Sequence, residues 1–150
     1  MKPEIVERPE LLLAGVISCG EDVGEIDIHG LWGIYNQTES SIPDQVEDAW
    51  FELHVGKQLG KGIYTVMVGV EIPHMVELPP EVSLKTVPGG RYAHFTHRMG
   101  DGSYGDAFAR INAWVQESGT EVKDFGLQRY GSEFDPEDED SSFQIFIPLA

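Results

Sequence analysis

Cysteine occurs once, at Cys19, so the chain can form no internal disulfide and must be held together by burial, which suits a reducing cytoplasm. Basic residues are scarce: Lys and Arg number 10 against 26 Asp and Glu, a formal net charge of −16. Phosphate contacts are carried by Lys and Arg, so this balance argues against a nucleic-acid surface and leaves a cationic partner or a plain solvated acidic face. Long apolar runs are missing too. The N-terminal run Leu11 to Ile17 is short and follows Glu4, Glu7 and Glu10 rather than a basic segment, and no stretch approaches the roughly 20 apolar residues of a membrane span. Neither a membrane nor a secretory leader is expected, and the expected location is the cytoplasm. No Cys or His cluster has zinc spacing and no Ser sits in a nucleophile elbow, so neither a metal, a cofactor nor a catalytic triad is expected.

What is present is an ordinary globular composition, 41% hydrophobic and 24% charged. A chain of 150 residues fits one domain over residues 1–150, or two halves sharing a core, and buries roughly 68 to 70% of its unfolded surface. Ile5 to Ile17 reads as a strand interrupted early by Pro9, with the main pairing over Leu11 to Ile17. Ile28, Leu31, Trp32 and Tyr35 fall at i, i+3, i+4 and i+7, one face of a helix with Asp27 as N-cap. Strands over Trp50 to Val55 and Ile63 to Ile72 form a hairpin about a turn at residues 56–62.

The pattern then starts again. Pro73, Pro79 and Pro80 mark a linker, and strand resumes on both sides of Pro88-Gly89-Gly90. A capping box of Ser103 and Asp106 opens a helix carrying Tyr104, Ala107, Phe108, Ile111 and Val115, which Gly119 ends. A second hairpin, Leu127 to Phe134 with Phe143 to Leu149, encloses the acidic loop Asp135 to Asp140, which lacks the glycine and ligand alternation of an EF-hand and reads as a solvated turn. The order is strand, helix, strand, strand, twice, with a first repeat over about residues 1–78 and a second over about 79–150. Arg8-Pro9 through Leu13-Ala14 echoes Val87-Pro88 through Tyr92-Ala93.

Two suggestive motifs fail on context. Gly100 to Gly105 matches G-x-G-x-x-G, yet the hairpin-rich order gives no parallel crossover sheet and Asp101 would repel a pyrophosphate, so the loop reads as a turn feeding the Ser103 cap. His94 and His97, at odd spacing in a strand, point to opposite faces. The informative residues lie elsewhere. Strand parity puts Trp50, Glu52 and His54 on one face, and Gln128 with Tyr130 on one face of another strand. Aromatic area with a few polar groups is what a small-molecule pocket needs, although each aromatic taken singly reads as core and Glu52 reads equally as a pocket carboxylate or an exposed strand residue.

At these residues the chain resembles the GyrI-like (gyrase-inhibitor-like) family, which is also the effector-binding domain of AraC-type and MerR-type regulators. The resemblance runs through Gly30-Leu31-Trp32, Tyr64-Thr65, Val68 to Glu71, Val87 to Phe95, Ile111 to Trp114, Gln128-Arg129-Tyr130 and Ile145 to Leu149. It implies an α+β fold: a duplicated βαββ unit with two antiparallel sheets, two helices, pseudo-two-fold symmetry and a ligand cleft between the halves. It also implies binding of hydrophobic, often cationic, small molecules. Some standalone relatives hydrolyse reactive cyclopropane-bearing genotoxins, and another binds DNA gyrase. Many relatives carry a buried glutamate two residues before the tyrosine, where this chain has Gln128 before Tyr130; Glu52 is the candidate replacement.

The expected function is therefore a standalone binding protein for hydrophobic aromatic or cationic small molecules. Trp32, Tyr35, Trp50, Trp114, Tyr130 and Phe146 supply contact area, Glu52 charge, and His54 with Gln128 hydrogen bonds. The alternatives are a hydrolase of cyclopropane-type substrates, with Glu52 positioning water near Tyr130, and an acidic module with a protein partner.

Overall fold

The computed structural model describes residues 2–21, 23–56 and 62–150. Most of the turn expected at residues 56–62 lies outside them. The elements run β1 (Glu4–Arg8), β2 (Leu11–Gly20), α1 (Ile28–Thr38), β3 (Ala49–Val55), β4 (Tyr64–Ile72), β5 (Ser83–Val87), β6 (Gly90–Arg98), α2 (Tyr104–Ser118), β7 (Phe125–Gly131) and β8 (Ser142–Pro148), with short 3-10 turns between some of them. Local chemistry starts both helices and stops the second. Asp27 accepts a hydrogen bond from the Gly30 N–H at the head of α1, and Ser103 and Asp106 form a reciprocal capping box at the head of α2. Gly119 adopts the left-handed conformation that ends α2.

All strand pairs are antiparallel, in the order β1-β6-β8-β7-β3-β4-β2-β5. That order is palindromic in the two units β2-α1-β3-β4 and β6-α2-β7-β8, as duplication requires. The α+β class and the repeated unit stand as expected from the sequence. The two expected sheets are continuous, however: β3 and β7 pair from Ala49↔Gly131 to Val55↔Phe125 and fuse them into one eight-stranded sheet.

The sheet must also curl, and the cause can be read at two links. β1 and β2 are joined only by Pro9 and Glu10 but lie towards opposite ends of the strand order, and Pro88-Gly89 joins β5 to β6 in the same way. A two-residue link reaches at most roughly 11 Å, so the two ends of the sheet have to meet. Each half lends its first short strand to the edge of the other. Proline suits both links because it has no N–H to donate to a ladder. Glycine at position 89 is needed for a different reason: a Cβ there would lie 2.6 Å from the Glu10 backbone N and 3.0 Å from the Arg8 carbonyl O.

Strand alternation then sorts the core. Leu11, Leu13, Phe51, Leu53, Met67, Tyr92, Leu127 and Phe146 fill the inside of the curl. The outer face carries one cluster beneath α1, with Leu31, Tyr35, Val66 and Val68, and another beneath α2, with Phe95, Ala107, Ile111, Phe143 and Ile145. Trp32 packs against both outer clusters and so spans the seam between the units.

Gly89→Ala should lower unfolding stability by about 1–3 kcal/mol, because the crossing links cannot separate without breaking the β1 and β5 pairings. Urea denaturation measures this. A midpoint equal to that of the parent protein would show that the crossing is not tight.

Candidate functional site

The β3–β7 seam sets the site. Its register places Trp50 opposite Tyr130, Glu52 opposite Gln128 and His54 opposite Gly126. The first residue of each pair lies on the outer, helix-covered face, because Phe51 and Leu53 point into the curl. There the sheet, α1, α2 and the loop after β7 enclose a cavity of about 740 Å³. Its lining includes Trp32, Glu52, His54, Gln128 and Tyr130, five residues singled out from sequence, together with Tyr104 and Phe108 from α2.

Glu52 is only 6% exposed, and among the described residues its one ion-pair partner is His54. The Trp32 indole Nε1–H donates to Glu52 Oε2 at 3.0 Å, and His54 Nε2 lies 2.6 Å from Oε1. The other ring nitrogen, His54 Nδ1, is 3.0 Å from the Tyr64 hydroxyl. Both carboxylate oxygens are thus engaged by elements from α1 and β3, which orients the group, and among the described residues no Lys or Arg pairs with it. Across the seam the Tyr130 hydroxyl donates to Gln128 Oε1 at 2.6 Å. Trp32 stands edge-on to Tyr130, with ring centroids 6.0 Å apart. Burial pushes the Tyr130 phenol far above the ordinary tyrosine range, and the neighbouring Glu52 charge and Tyr104 push it further. Tyr104 is raised as well, by burial first and then by Glu52.

The other four expected residues lie elsewhere. Tyr35 is fully buried beneath Trp32, edge-on to it at 6.0 Å. Trp50 packs on the α1 cluster and its Nε1–H points to Glu39 Oε1 at 3.4 Å. Trp114 is edge-on to Phe95 at 5.6 Å in the α2 cluster. Phe146 faces the inside of the curl, where His94 stacks on it at 4.6 Å and the Arg8 guanidinium lies 4.1 Å over its ring. Parity separates Phe146 from the site: Phe143, Ile145 and Ile147 take the outer face, so position 146 takes the inner one.

Several lining residues were not singled out from the sequence. Tyr104 and Phe108 lie at i and i+4 on the apolar stripe of α2, so their periodicity was visible but their exposure to a cavity was not. Phe134 and Pro136 come from the loop after β7 and carry no periodic signal. The G-x-G-x-x-G match proves to be the turn that leads into the Ser103 cap of α2, held by side chains beneath it. His97, one of the few buried polar residues, has Nε2 at 2.9 Å from the Gly102 carbonyl, while Arg110 reaches both His97 Nδ1 and the Asp101 carbonyl. Among the described residues no group of His, Cys, Asp and Glu could hold a metal ion, and no helix is long and apolar enough to cross a membrane.

The sequence profile of the Cass2 family, integron-associated effector binding protein, matches residues 4–149. The chain belongs to the Cass2 family. That family falls within the GyrI-like group anticipated from the sequence, and effector binding makes this a small-molecule-binding protein. No curated protein matches the chain in sequence. Solved structures share the fold at low identity. SAV2435, determined bound to tetraphenylphosphonium, has a TM-score of 0.74 at 14% identity, covering 100% of this chain and 94% of that one. The EcmrR C-terminal domain has a TM-score of 0.74 at 13% identity, covering 99% and 97%. An integron cassette protein from the mobile metagenome of Vibrio cholerae has a TM-score of 0.65 at 15% identity, covering 99% and 96%.

The raised Tyr130 pKa fixes a sign for alkaline stability. A phenol whose folded pKa exceeds its unfolded value contributes nothing to pH dependence while both states are protonated. Above the ordinary value of about 10, the unfolded state alone releases the proton and is favoured. Tyr130→Phe should therefore flatten the fall in stability between about pH 9 and about pH 11.5, by as much as ~1.4 kcal/mol per pH unit. Urea midpoints across that window give the measurement, and equal slopes for the two proteins would refute it.

Proposed function

We propose that this Cass2-family protein is a cytoplasmic binder of hydrophobic aromatic cations, taken up in the cavity at the β3–β7 seam with Glu52 as the counter-charge. The observation that carries the reading is the buried carboxylate itself. Desolvating a carboxylate costs several kcal/mol unless charge or hydrogen bonds compensate it, and here the compensation comes from an indole N–H and an imidazole. None of the described lining residues is Lys or Arg. A ligand cation entering beside Glu52 would supply the missing positive charge. Trp32, Tyr104, Phe108, Tyr130 and Phe134 would offer it aromatic faces and edges.

Gln128 fits the same scheme. Its side-chain oxygen is occupied by the Tyr130 hydroxyl, so it holds that phenol in place while bringing no charge of its own. One carboxylate then faces one cation. The tetraphenylphosphonium bound by SAV2435 is a cation of this class and a suitable first probe.

Glu52→Gln should weaken tetraphenylphosphonium about ten- to a hundredfold, the effect of removing roughly 1.5–3 kcal/mol of charged hydrogen bonding, while sparing neutral tetraphenylmethane-type analogues made soluble with hydroxyl groups. Isothermal titration and recovery of unaltered ligand separate binding from turnover. Unchanged cation affinity in a folded Glu52→Gln protein would sink the assignment, and consumption of the ligand would favour hydrolysis.

A further inference from the structure

We infer that the site continues into a second chamber beneath α2, built to take the unbranched apolar arm of an elongated cation whose charged head lies beside Glu52. This rests on the function proposed above and narrows its ligand class. A cavity of about 360 Å³ lies between α2 and the β7–β8 hairpin. It shares His54, Phe108 and Gln128 with the larger cavity, so the same side chains border both spaces.

The chemistry of the two spaces differs. Glu52 lines the first and not the second. Ile111 and Val115 of α2 and Ile145 and Ile147 of β8 line the second. Among the described residues of its lining the Lys and Asp side chains are Lys123 and Asp124, of opposite sign, which together add no net charge. A cationic head therefore belongs in the first chamber and a neutral arm in the second.

Gly126 keeps the second chamber open. It lies opposite His54 across the seam, without a positive φ. A Cβ at this position would meet only Ile147 Cδ1, at an ordinary 3.8 Å. Neither backbone conformation nor close packing demands glycine there, and glycine weakens a strand interior. What its missing side chain provides is space. The helix above is placed to match: α1 packs closely on β2 and β4, whereas α2 makes no comparably extensive backbone approach to any strand.

The test is a series of methyl-, butyl- and hexyltriphenylphosphonium titrated into the parent protein and into Gly126→Val, with the dependence on chain length read within each protein. In the parent, affinity should rise about fourfold per added methylene until the chamber is full. In Gly126→Val the rise should vanish, and Val115→Phe, which fills the chamber from the α2 side, should have the same effect; thermal melting establishes that both variants are folded. A flat series in the parent, with the methyl compound bound, overturns the second chamber and leaves cation binding standing. An unchanged slope in both folded variants also overturns it. Failure of every member to bind the parent protein removes the cation reading and this inference together.

Discussion

Pro9 and Glu10 have to carry the chain between strands near opposite ends of an eight-stranded sheet, and Pro88 and Gly89 have to do the same in the other direction. Two residues cannot reach across a flat sheet of that width, so the rest of the architecture follows from the crossing. The sheet curls until its ends meet, one face closes on itself as an apolar interior, and the other carries the two helices. Gly89 lies on the Arg8–Glu10 link, which makes each crossing the other's packing surface. The Tyr92 hydroxyl, donating to the Pro88 carbonyl, ties the second link down from inside the curl.

The curl leaves β3 and β7 at the centre of the strand order, the farthest point from the crossings, and the two helices flank the seam between them. A seam between two repeats is where side chains of both units can converge without belonging to either core. Trp32 shows this directly. It packs on both outer clusters, stands edge-on to Tyr35 of its own unit and to Tyr130 of the other, and gives its one polar hydrogen to Glu52. A buried carboxylate is tolerable there because its two oxygens are already engaged, and the same engagement aims it at the cavity.

Charge is arranged differently on the two faces of the sheet. Inside the curl, Arg129 forms a two-pronged pair with Glu47 and also reaches Gln144, while the Arg8 guanidinium covers Phe146. The guanidinium beside Glu47 holds that carboxyl below the ordinary range. Glu47 is thus neutralised by an arginine, whereas Glu52, on the outer face, has among the described residues an indole and an imidazole. That contrast sets Glu52 apart from Glu47.

The amino-acid sequence by itself determined the local elements and their order. Asp27, Ser103, Asp106 and Gly119 define helix ends through hydrogen bonds within a few residues, and strand period two put Glu52 with His54 and Gln128 with Tyr130 on shared faces. These are short-range facts, readable because backbone geometry repeats over two to four residues. Tertiary structure alone decided that the two sheets are one, since strand-edge pairing joins segments about 76 residues apart, as in Glu52 opposite Gln128. It also decided which aromatics line the cavity. Trp114 and Phe146 are as large and apolar as Trp32 and Tyr130, but size does not say which face of a curled sheet a side chain will meet. Nothing within four residues of Gly126 reveals that its missing side chain is open space, because that space is bounded by a helix and a hairpin brought together only when the curl closes.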